Sequence, residues 1–185
     1  MKKYFKWSCV ICVVLILCFF YAHIDKMYAV YDLDVDPGDY VGTNLDTCEE
    51  YKQEFTSEEK ALDGVALKFA MSGEELQKVK LIYSIESEDG ETLREGELEG
   101  SKFKNQKFNK LGFDRIEDTK DKTFVFKCHV ENNDINNGIS IQQEGENLVL
   151  KYYMFKFDLE TFVIACALCA YVIIFMQILF KMFKE

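Results

Sequence analysis

Hydrophobic residues form two uninterrupted runs, one near each end of the chain. Trp7–Ala22 contains sixteen residues without a charge, and Phe162–Phe180 contains nineteen. A helix rises 1.5 Å per residue, so the second run is about 28 Å long, close to the roughly 30 Å hydrocarbon core of a bilayer. We therefore predict transmembrane helices at 7–23 and 159–180, both in contact with the lipid bilayer.

The first run has an alternative interpretation as a cleaved signal peptide, whose apolar region is typically about 7–15 residues long. Met27-Tyr28-Ala29 is a poor cleavage site, because Met27 occupies a position that requires a small residue. The sequence favours a retained anchor, and cleavage stays open as the alternative.

Flanking charges predict the orientation. Five lysines lie on the outer ends of the two runs: Lys2, Lys3, Lys6, Lys181 and Lys184. Positive residues next to a membrane span stay in the cytoplasm. The tails 1–6 and 181–185 are therefore expected to be cytoplasmic, with the central part outside the plasma membrane.

Between the runs, hydrophobic and polar residues alternate with a period of two, as in half-buried strands. One face of a segment carries Val65, Leu67, Phe69 and Met71. The pattern recurs at 79–85, 124–130 and 148–154, and shorter candidates are 49–55, 91–98, 107–114 and 139–143. Asp89-Gly90 is a hairpin signal, and 117–121 and 144–146 are polar turns.

About eight short strands without a long helical period predict a mainly β fold. We expect an antiparallel β-sandwich over 47–158, preceded by an acidic linker or edge strand at 24–46. Within that linker, Tyr31, Leu33 and Val35 are expected on one side of a strand and acidic residues on the other.

The order of several strand residues resembles a known family. They are Gln53-x-Phe55, Leu62-x-Gly64-Val65-x-Leu67, the hairpin at Gly90, Phe108…Phe113 and Ile116-x-Asp118-x-x-x-Lys122-x-Phe124. This series, over roughly residues 50–143, resembles the extracytoplasmic jelly-roll domain found between transmembrane segments in membrane proteins of Gram-positive anaerobes. Those proteins are associated with cell-surface polysaccharide assembly, so the resemblance implies a jelly roll, an extracytoplasmic location and sugar-related surroundings.

Two departures limit what the resemblance implies. No polytopic transferase or ligase region follows, and Lys104-Asn105 replaces the Asp-Asn of the family before its fifth strand. The resemblance therefore transfers no catalytic residue.

The charge balance excludes nucleic acid as the expected partner. The chain has 22 Lys+Arg against 32 Asp+Glu, a net charge of −10. Residues 24–158 hold 17 basic and 30 acidic residues, which gives −13, whereas binding phosphates of nucleic acid needs clustered positive charge.

Only two histidines are present, His23 and His129. We expect no catalytic site, no metal site and no cofactor.

Acidic residues are abundant without forming a recognisable site. Asp32-x-Asp34-x-Asp36 is similar to the start of a calcium loop, but Pro37 and Thr43 occupy the positions of the loop's Gly and bidentate Glu. Adjacent acids on a strand point to opposite faces, so they cannot face each other as a hydrolytic pair. We therefore expect a protein that is not an enzyme.

Cysteines divide between the apolar runs and the central part. Cys48 and Cys128 are the only two outside the runs, where a disulfide can form. Such a bridge would close a loop of about 80 residues and contribute up to roughly 4 kcal/mol. The strand phase is against it, since Cys128 shares the Phe124/Phe126 face and Cys48 is in phase with charged residues. Both alternatives stay open.

The second run carries small residues four apart, Ala165 with Cys169 and Cys166 with Ala170. Small side chains let membrane helices approach closely. The expected partner is the first helix, and a polytopic membrane protein is the alternative.

Exposed aromatic residues are the remaining candidates for ligand binding, because aromatic rings stack on sugars. Tyr153, Phe103 and Tyr40 are expected at the surface, whereas Tyr83 and Tyr152 fall on the hydrophobic phase and are expected in the core. The leading hypothesis is a membrane-anchored accessory or recognition module that contacts surface polysaccharide or another protein. The alternative is a small subunit that binds a larger membrane enzyme or transporter through its helices.

Overall fold

A computed structural model describes residues 2–45, 50–71, 79–131 and 139–183, with side chains from residue 8 onward. The chain divides into two compact units. Met27–Met154 forms one unit, the β domain, and the segments Met1–Lys26 and Phe155–Glu185 form the other, the helical unit.

The described residues form two long helices and eleven strands. The helices are α1 (Lys2–Tyr21) and α2 (Leu159–Met182). The strands are β1 (His23–Ala29), β2 (Val41–Asn44), β3 (Tyr51–Thr56), β4 (Ala61–Met71), β5 (Lys80–Ser87), β6 (Thr92–Glu99), β7 (Phe108–Glu117), β8 (Thr123–Glu131), β9 (Ile139–Glu144), β10 (Asn147–Leu148) and β11 (Leu150–Phe157). Short 3₁₀ turns lie at Pro37–Asp39 and Gly100–Lys102.

The described strands form two sheets. The seven-stranded sheet has the order β1-β11-β4-β9-β10, with β7 paired to β4 and β2 paired to β9. The four-stranded sheet has the order β3-β8-β5-β6. Every pair whose register is described is antiparallel. The predicted mainly β, antiparallel fold is confirmed.

Alternate side chains of both sheets meet in one hydrophobic core. Val65, Leu67 and Phe69 of β4 and Leu81, Tyr83 and Ile85 of β5 are each at most 4% exposed. Phe124, Phe126, Cys128 and Val130 of β8 belong to the same cluster. The two-residue period therefore predicted the core faces of these strands correctly, including the buried Tyr83 and Tyr152.

The predicted turns at Gly90 and Gly145 are also present. Gly90 has a φ of +83° in the β5–β6 hairpin, and Gly145 has a φ of +61° between β9 and β10. These are backbone conformations that glycine adopts without steric cost.

The expected strand at Tyr31–Val35 is wrong. These residues form bends and turns, and the strands near them are β1, at the edge of its sheet, and β2. The Asp34 backbone N–H donates to the Asp32 carboxylate at 2.9 Å, and the Gly38 N–H donates to Asp36 at 2.8 Å. Such local side-chain acceptors stabilise turns at the expense of sheet hydrogen bonds.

Within the helical unit, α2 is long and apolar enough to cross a membrane, and none of its residues is buried. The apolar part of α1, Ser8–Tyr21, is shorter. Cys18 of α1 is 4% exposed, and Ala22, the residue after α1, is 0% exposed. The Sγ atoms of Cys18 and Cys169 lie 3.9 Å apart, so the two helices approach closely at small side chains.

Asp158 organises the start of α2. Its Oδ2 accepts hydrogen bonds from the Thr161 N–H at 2.9 Å and from the Thr161 hydroxyl at 2.7 Å, which is an N-cap. Its Oδ1 accepts from Lys26 Nζ at 3.0 Å. Its own backbone N–H donates to Ala22 O at 2.8 Å, so one residue links the segments that enter both helices.

Candidate functional site

The outer face of the seven-stranded sheet carries three lysines. In register, Lys151 of β11 lies opposite Ala66 of β4, and Ala66 lies opposite Lys110 of β7. Lys68, two residues along β4, points to the same face because side chains alternate along a strand. We call this surface the lysine face: Lys68, Lys110 and Lys151 with the aromatic residues Tyr31, Tyr40, Phe108 and Tyr153.

Each lysine lies over an aromatic ring. Lys151 Nζ is 4.4 Å from the ring centroid of Phe108 and 5.8 Å from that of Tyr31. Lys68 Nζ is 5.0 Å from the Tyr40 centroid, and Lys110 Nζ is 5.4 Å from the Tyr153 centroid. These distances are within the range of cation–π attraction. The contacts fix the ammonium groups at the surface and spread their stems over the sheet.

Small residues beneath the lysine face allow this arrangement. A Cβ added to Gly64 would stand 2.3 Å from the Tyr153 hydroxyl oxygen, and one added to Gly112 would stand 3.1 Å from it. The Tyr153 ring therefore lies across two neighbouring strands. Gly64 and Ala66 are buried although they lie on an outer face, because aromatic and lysine side chains cover them.

Three aromatic residues form one end of the lysine face. Tyr31 and Phe108 stack with centroids 6.2 Å apart, and Tyr31 meets Tyr40 edge to face at 6.0 Å. Burial raises the pKa of Tyr31. Burial also raises the pKa of Tyr40, and the neighbouring Tyr31 and Glu144 raise it further. Both phenols are therefore neutral hydrogen-bonding groups at physiological pH.

A pair of amides lies beside these rings. Gln142 Nε2 donates to Gln106 Oε1 at 3.3 Å. Gln142 is 8% exposed, and its Oε1 has no hydrogen-bond partner among the described residues. The amides add neutral polar groups to the edge of the lysine face.

The structure separates the three predicted ligand-binding aromatics. Tyr40 is half-buried on the lysine face. Tyr153 lies on the same face but is only 7% exposed, so the expectation that it is a surface residue is wrong: Lys110 covers its ring. Phe103 is 9% exposed and stacks on Phe69 with centroids 5.2 Å apart, so it belongs to the core.

A cleft of about 670 Å³ opens where β1 and the following turn approach β3, and Tyr31 of the lysine face also lines it. Its floor contains stacked rings: Tyr152 lies 5.2 Å from Tyr28 and 5.4 Å from Phe55, measured between centroids. The Tyr28 hydroxyl donates to Glu59, and the Tyr152 hydroxyl accepts from the Glu58 backbone N–H at 3.0 Å. The stacking and these hydrogen bonds hold the rings in place.

Carboxylates form the rim of this cleft. Asp32, Asp34, Glu54 and Glu58 line it, and no lysine or arginine does so among the described residues. The described part of the chain contains no group of three or more His, Cys, Asp or Glu that could hold a metal ion. The cleft therefore offers hydrogen-bond acceptors and negative charge to an organic ligand, and burial of Tyr152 and Phe55 leaves little ring surface for stacking.

Comparisons with known proteins give no family. No protein-family model matches the chain, and a search of curated proteins finds none that is similar to it. The site must therefore be interpreted from its own chemistry.

The cysteine and helix-packing predictions concern other parts of the chain. Cys128 has no disulfide partner among the described residues; it is 1% exposed, and burial raises its pKa to about 12. Cys48 lies outside the described residues, so the pairing stays a prediction. In α2, Ala165, Cys166 and Cys169 are half-buried, whereas Ala170 is exposed and lies off the contact with α1.

Sequence reasoning missed the lysines and the cleft. Lys68 was recognised only as the polar phase of a strand, and Phe108 only as part of the resemblance. A signal was present, since Lys68, Lys110 and Lys151 all lie in predicted strands. Their convergence follows from the order β11-β4-β7, which the sequence does not reveal.

Proposed function

We propose that this protein is a non-enzymatic recognition module of the cell envelope, anchored in the plasma membrane by α1 and α2, with the β domain outside. In this proposal the lysine face binds a surface glycan. The observation that carries it is that three lysines and four aromatic residues, Tyr40 among them, come together on one outer sheet face.

Two spans and a hairpin topology are part of the proposal. The exposed apolar side chains of both helices support lipid contact, because such a surface in water would be costly. The burial of Cys18 and Ala22, together with the hydrogen bond from Asp158 to Ala22, supports retention of α1. Flanking lysines support cytoplasmic ends.

A jelly-roll β-sandwich is likewise proposed as the class of the β domain. Support comes from the two antiparallel sheets around one core and from the distribution of consecutive strands between them. For example, β3 and β5 belong to the four-stranded sheet, whereas the intervening β4 belongs to the other.

Glycan binding is tested with the full chain in nanodiscs of neutral lipid and with polysaccharide extracted from envelopes of the producing cell. We expect saturable binding that Tyr40→Ala weakens. The matched control is Tyr51→Ala, which changes a half-buried tyrosine on the opposite sheet. Absence of binding by the intact protein, or equal loss in both variants, would exclude the lysine face as the glycan site.

A second candidate function is that of a small subunit of a polytopic membrane protein. The observation that favours it is the exposed apolar surface of α2, which is available to a further helix as well as to lipid. Replacing the exposed positions of Phe162–Phe180 by leucine tests it, with the half-buried Cys166 and Cys169 kept. If this function is correct, the leucine variant no longer co-purifies with a polytopic membrane protein that the wild type binds. A complex that survives the replacement contradicts the subunit function.

A further inference from the structure

We infer that the lysine face discriminates by charge, binding glycans that carry carboxylate or phosphate groups in preference to neutral glycans. The inference rests on the proposed function, since it specifies the chemical class of the glycan. It concerns the three ammonium groups and their fixed positions.

The sheet register brings the three charges close together. Lys151 and Lys110 are separated by one intervening strand, with Ala66 between them. Neighbouring strands lie about 4.8 Å apart, so the two backbones are about 10 Å apart. Lys68 lies two residues from Ala66 on the middle strand. An anionic sugar of this width can therefore meet more than one ammonium group at once.

The aromatic contacts pre-organise these charges. Lys68, Lys110 and Lys151 each lie on a ring from another part of the fold, with nitrogen-to-centroid distances of 4.4–5.4 Å. A lysine whose stem is already held against a ring loses less conformational freedom on binding an anion than a freely moving one.

The same contacts disfavour neutral sugars. Stacking on a sugar requires an open ring face, whereas Tyr31 and Tyr153 are only 9% and 7% exposed and lysines cover the rings. Among the described β-domain residues, the exposed large hydrophobic side chains are Met27, Leu33 and Val41, at 37%, 71% and 63%, and none of them is aromatic. Electrostatic attraction is therefore the stronger source of affinity on this surface.

The acidity of the whole domain does not cancel this local charge. Residues 24–158 carry −13, but at 0.15 M salt the screening length is about 8 Å. Charges farther from the lysine face than this length are therefore largely screened from an anion bound there. The acids that raise the pKa of Tyr40, namely Glu144, Asp36 and Asp32, lie at the end of the face where Lys68 covers the Tyr40 ring.

The test uses one polymer backbone in three forms: dextran, carboxymethyl-dextran and dextran phosphate. Binding to the full chain in neutral nanodiscs is measured at 0.15 M salt. We expect both charged polymers to bind about ten-fold more tightly than dextran, since three exposed charge pairs each contribute modestly. The carboxylate and phosphate arms show which anion is preferred.

A charge-matched pair of variants locates the effect. The triple variant K68Q/K110Q/K151Q removes three charges from the lysine face. The control K52Q/K80Q/K102Q removes three charges from β3, β5 and the Gly100–Lys102 turn. We expect the first to abolish the preference for charged dextran and the second to preserve it. Circular dichroism checks that each variant folds, and Lys110→Gln alone replaces the triple variant if that one does not.

The outcomes separate the inference from the proposed function. Equal affinity for dextran and its charged forms, or equal loss in both triple variants, overturns the charge discrimination and leaves glycan binding intact. Failure of the native protein to bind any dextran or envelope polysaccharide overturns the proposed function itself. The salt dependence of binding tests the inference on the wild type without any variant. Raising the salt must weaken binding to the charged polymers and leave binding to dextran unaffected.

Discussion

The ring of Tyr153 lies directly on the backbone of Gly64: a Cβ at Gly64 would stand 2.3 Å from the Tyr153 hydroxyl oxygen and 2.6 Å from the carbonyl oxygen of Leu111. The glycine therefore makes room for a ring that crosses two strands. This contact positions the Tyr153 ring on the lysine face and covers the strand backbone beneath it.

Gly64→Ala should destabilise the β domain because the added methyl group meets both a ring and a strand backbone. Overpacking of this kind costs about 1–3 kcal/mol. Gly112→Ala is the control, since its Cβ would stand 3.1 Å from the same hydroxyl and meets no other atom within 4 Å. Urea unfolding of the two variants measures the difference, and equal stabilities would show that Tyr153 does not lie on Gly64.

Asp158 predicts an acid-sensitive component of stability in the helical unit. The Thr161 N–H and hydroxyl and then Lys26 lower the pKa of Asp158 from 3.8 to about 2. The folded state therefore favours the carboxylate. Its contribution is fully present above pH 3.8 and is lost as the pH falls to about 2.

Two variants divide this contribution into capping and charge. Asp158→Asn retains a good N-cap acceptor and removes the charge, whereas Asp158→Ala removes both. At pH 7 we expect Tm in mild detergent to decrease from wild type to the Asn variant to the Ala variant. The difference between wild type and the Asn variant should disappear near pH 2, and a constant difference down to that pH would contradict the ion pair.

Cys128 should be an unreactive thiol in the folded protein. It is 1% exposed, and burial raises its pKa to about 12. At pH 8 only about one thiol in ten thousand is then the reactive thiolate. Iodoacetamide should not label Cys128 in the folded protein. After denaturation it should label Cys128 even when no reductant is added, as measured by peptide mass spectrometry. Labelling that also requires a reductant would show that Cys128 is in a disulfide, with Cys48 as the candidate partner.

The sequence predicted the strands whose two faces differ in polarity. In β8, Phe124, Phe126 and Cys128 lie in the core, and Lys127 and His129 lie on the opposite phase of the strand. The alternation of Tyr31, Leu33 and Val35 has the same period but forms turns, because Asp32 and Asp36 accept hydrogen bonds from nearby backbone N–H groups. The two-residue period alone does not show that these side-chain acceptors compete with sheet hydrogen bonds for the backbone N–H groups.

The candidate site was predicted only in part, because it depends on how distant strands are ordered. The alternation along β11 correctly places Tyr153 on the other face of the strand from Tyr152. Its burial, however, follows from Gly64 and Lys110 on other strands. Phe103 follows a short 3₁₀ turn, and its burial follows from Phe69. Neither partner can be assigned from one sequence without the strand order.

The central claim, an anchored chain with its β domain outside, is tested most directly by labelling intact cells with a membrane-impermeant maleimide. Native cysteines are replaced by alanine, and single cysteines are placed at Asp89, in the exposed β5–β6 turn, or at Lys3, before the first apolar run. We predict labelling of Asp89→Cys in intact cells and of Lys3→Cys only after permeabilisation. Labelling of Lys3→Cys in intact cells, or of Asp89→Cys only after permeabilisation, would contradict the account.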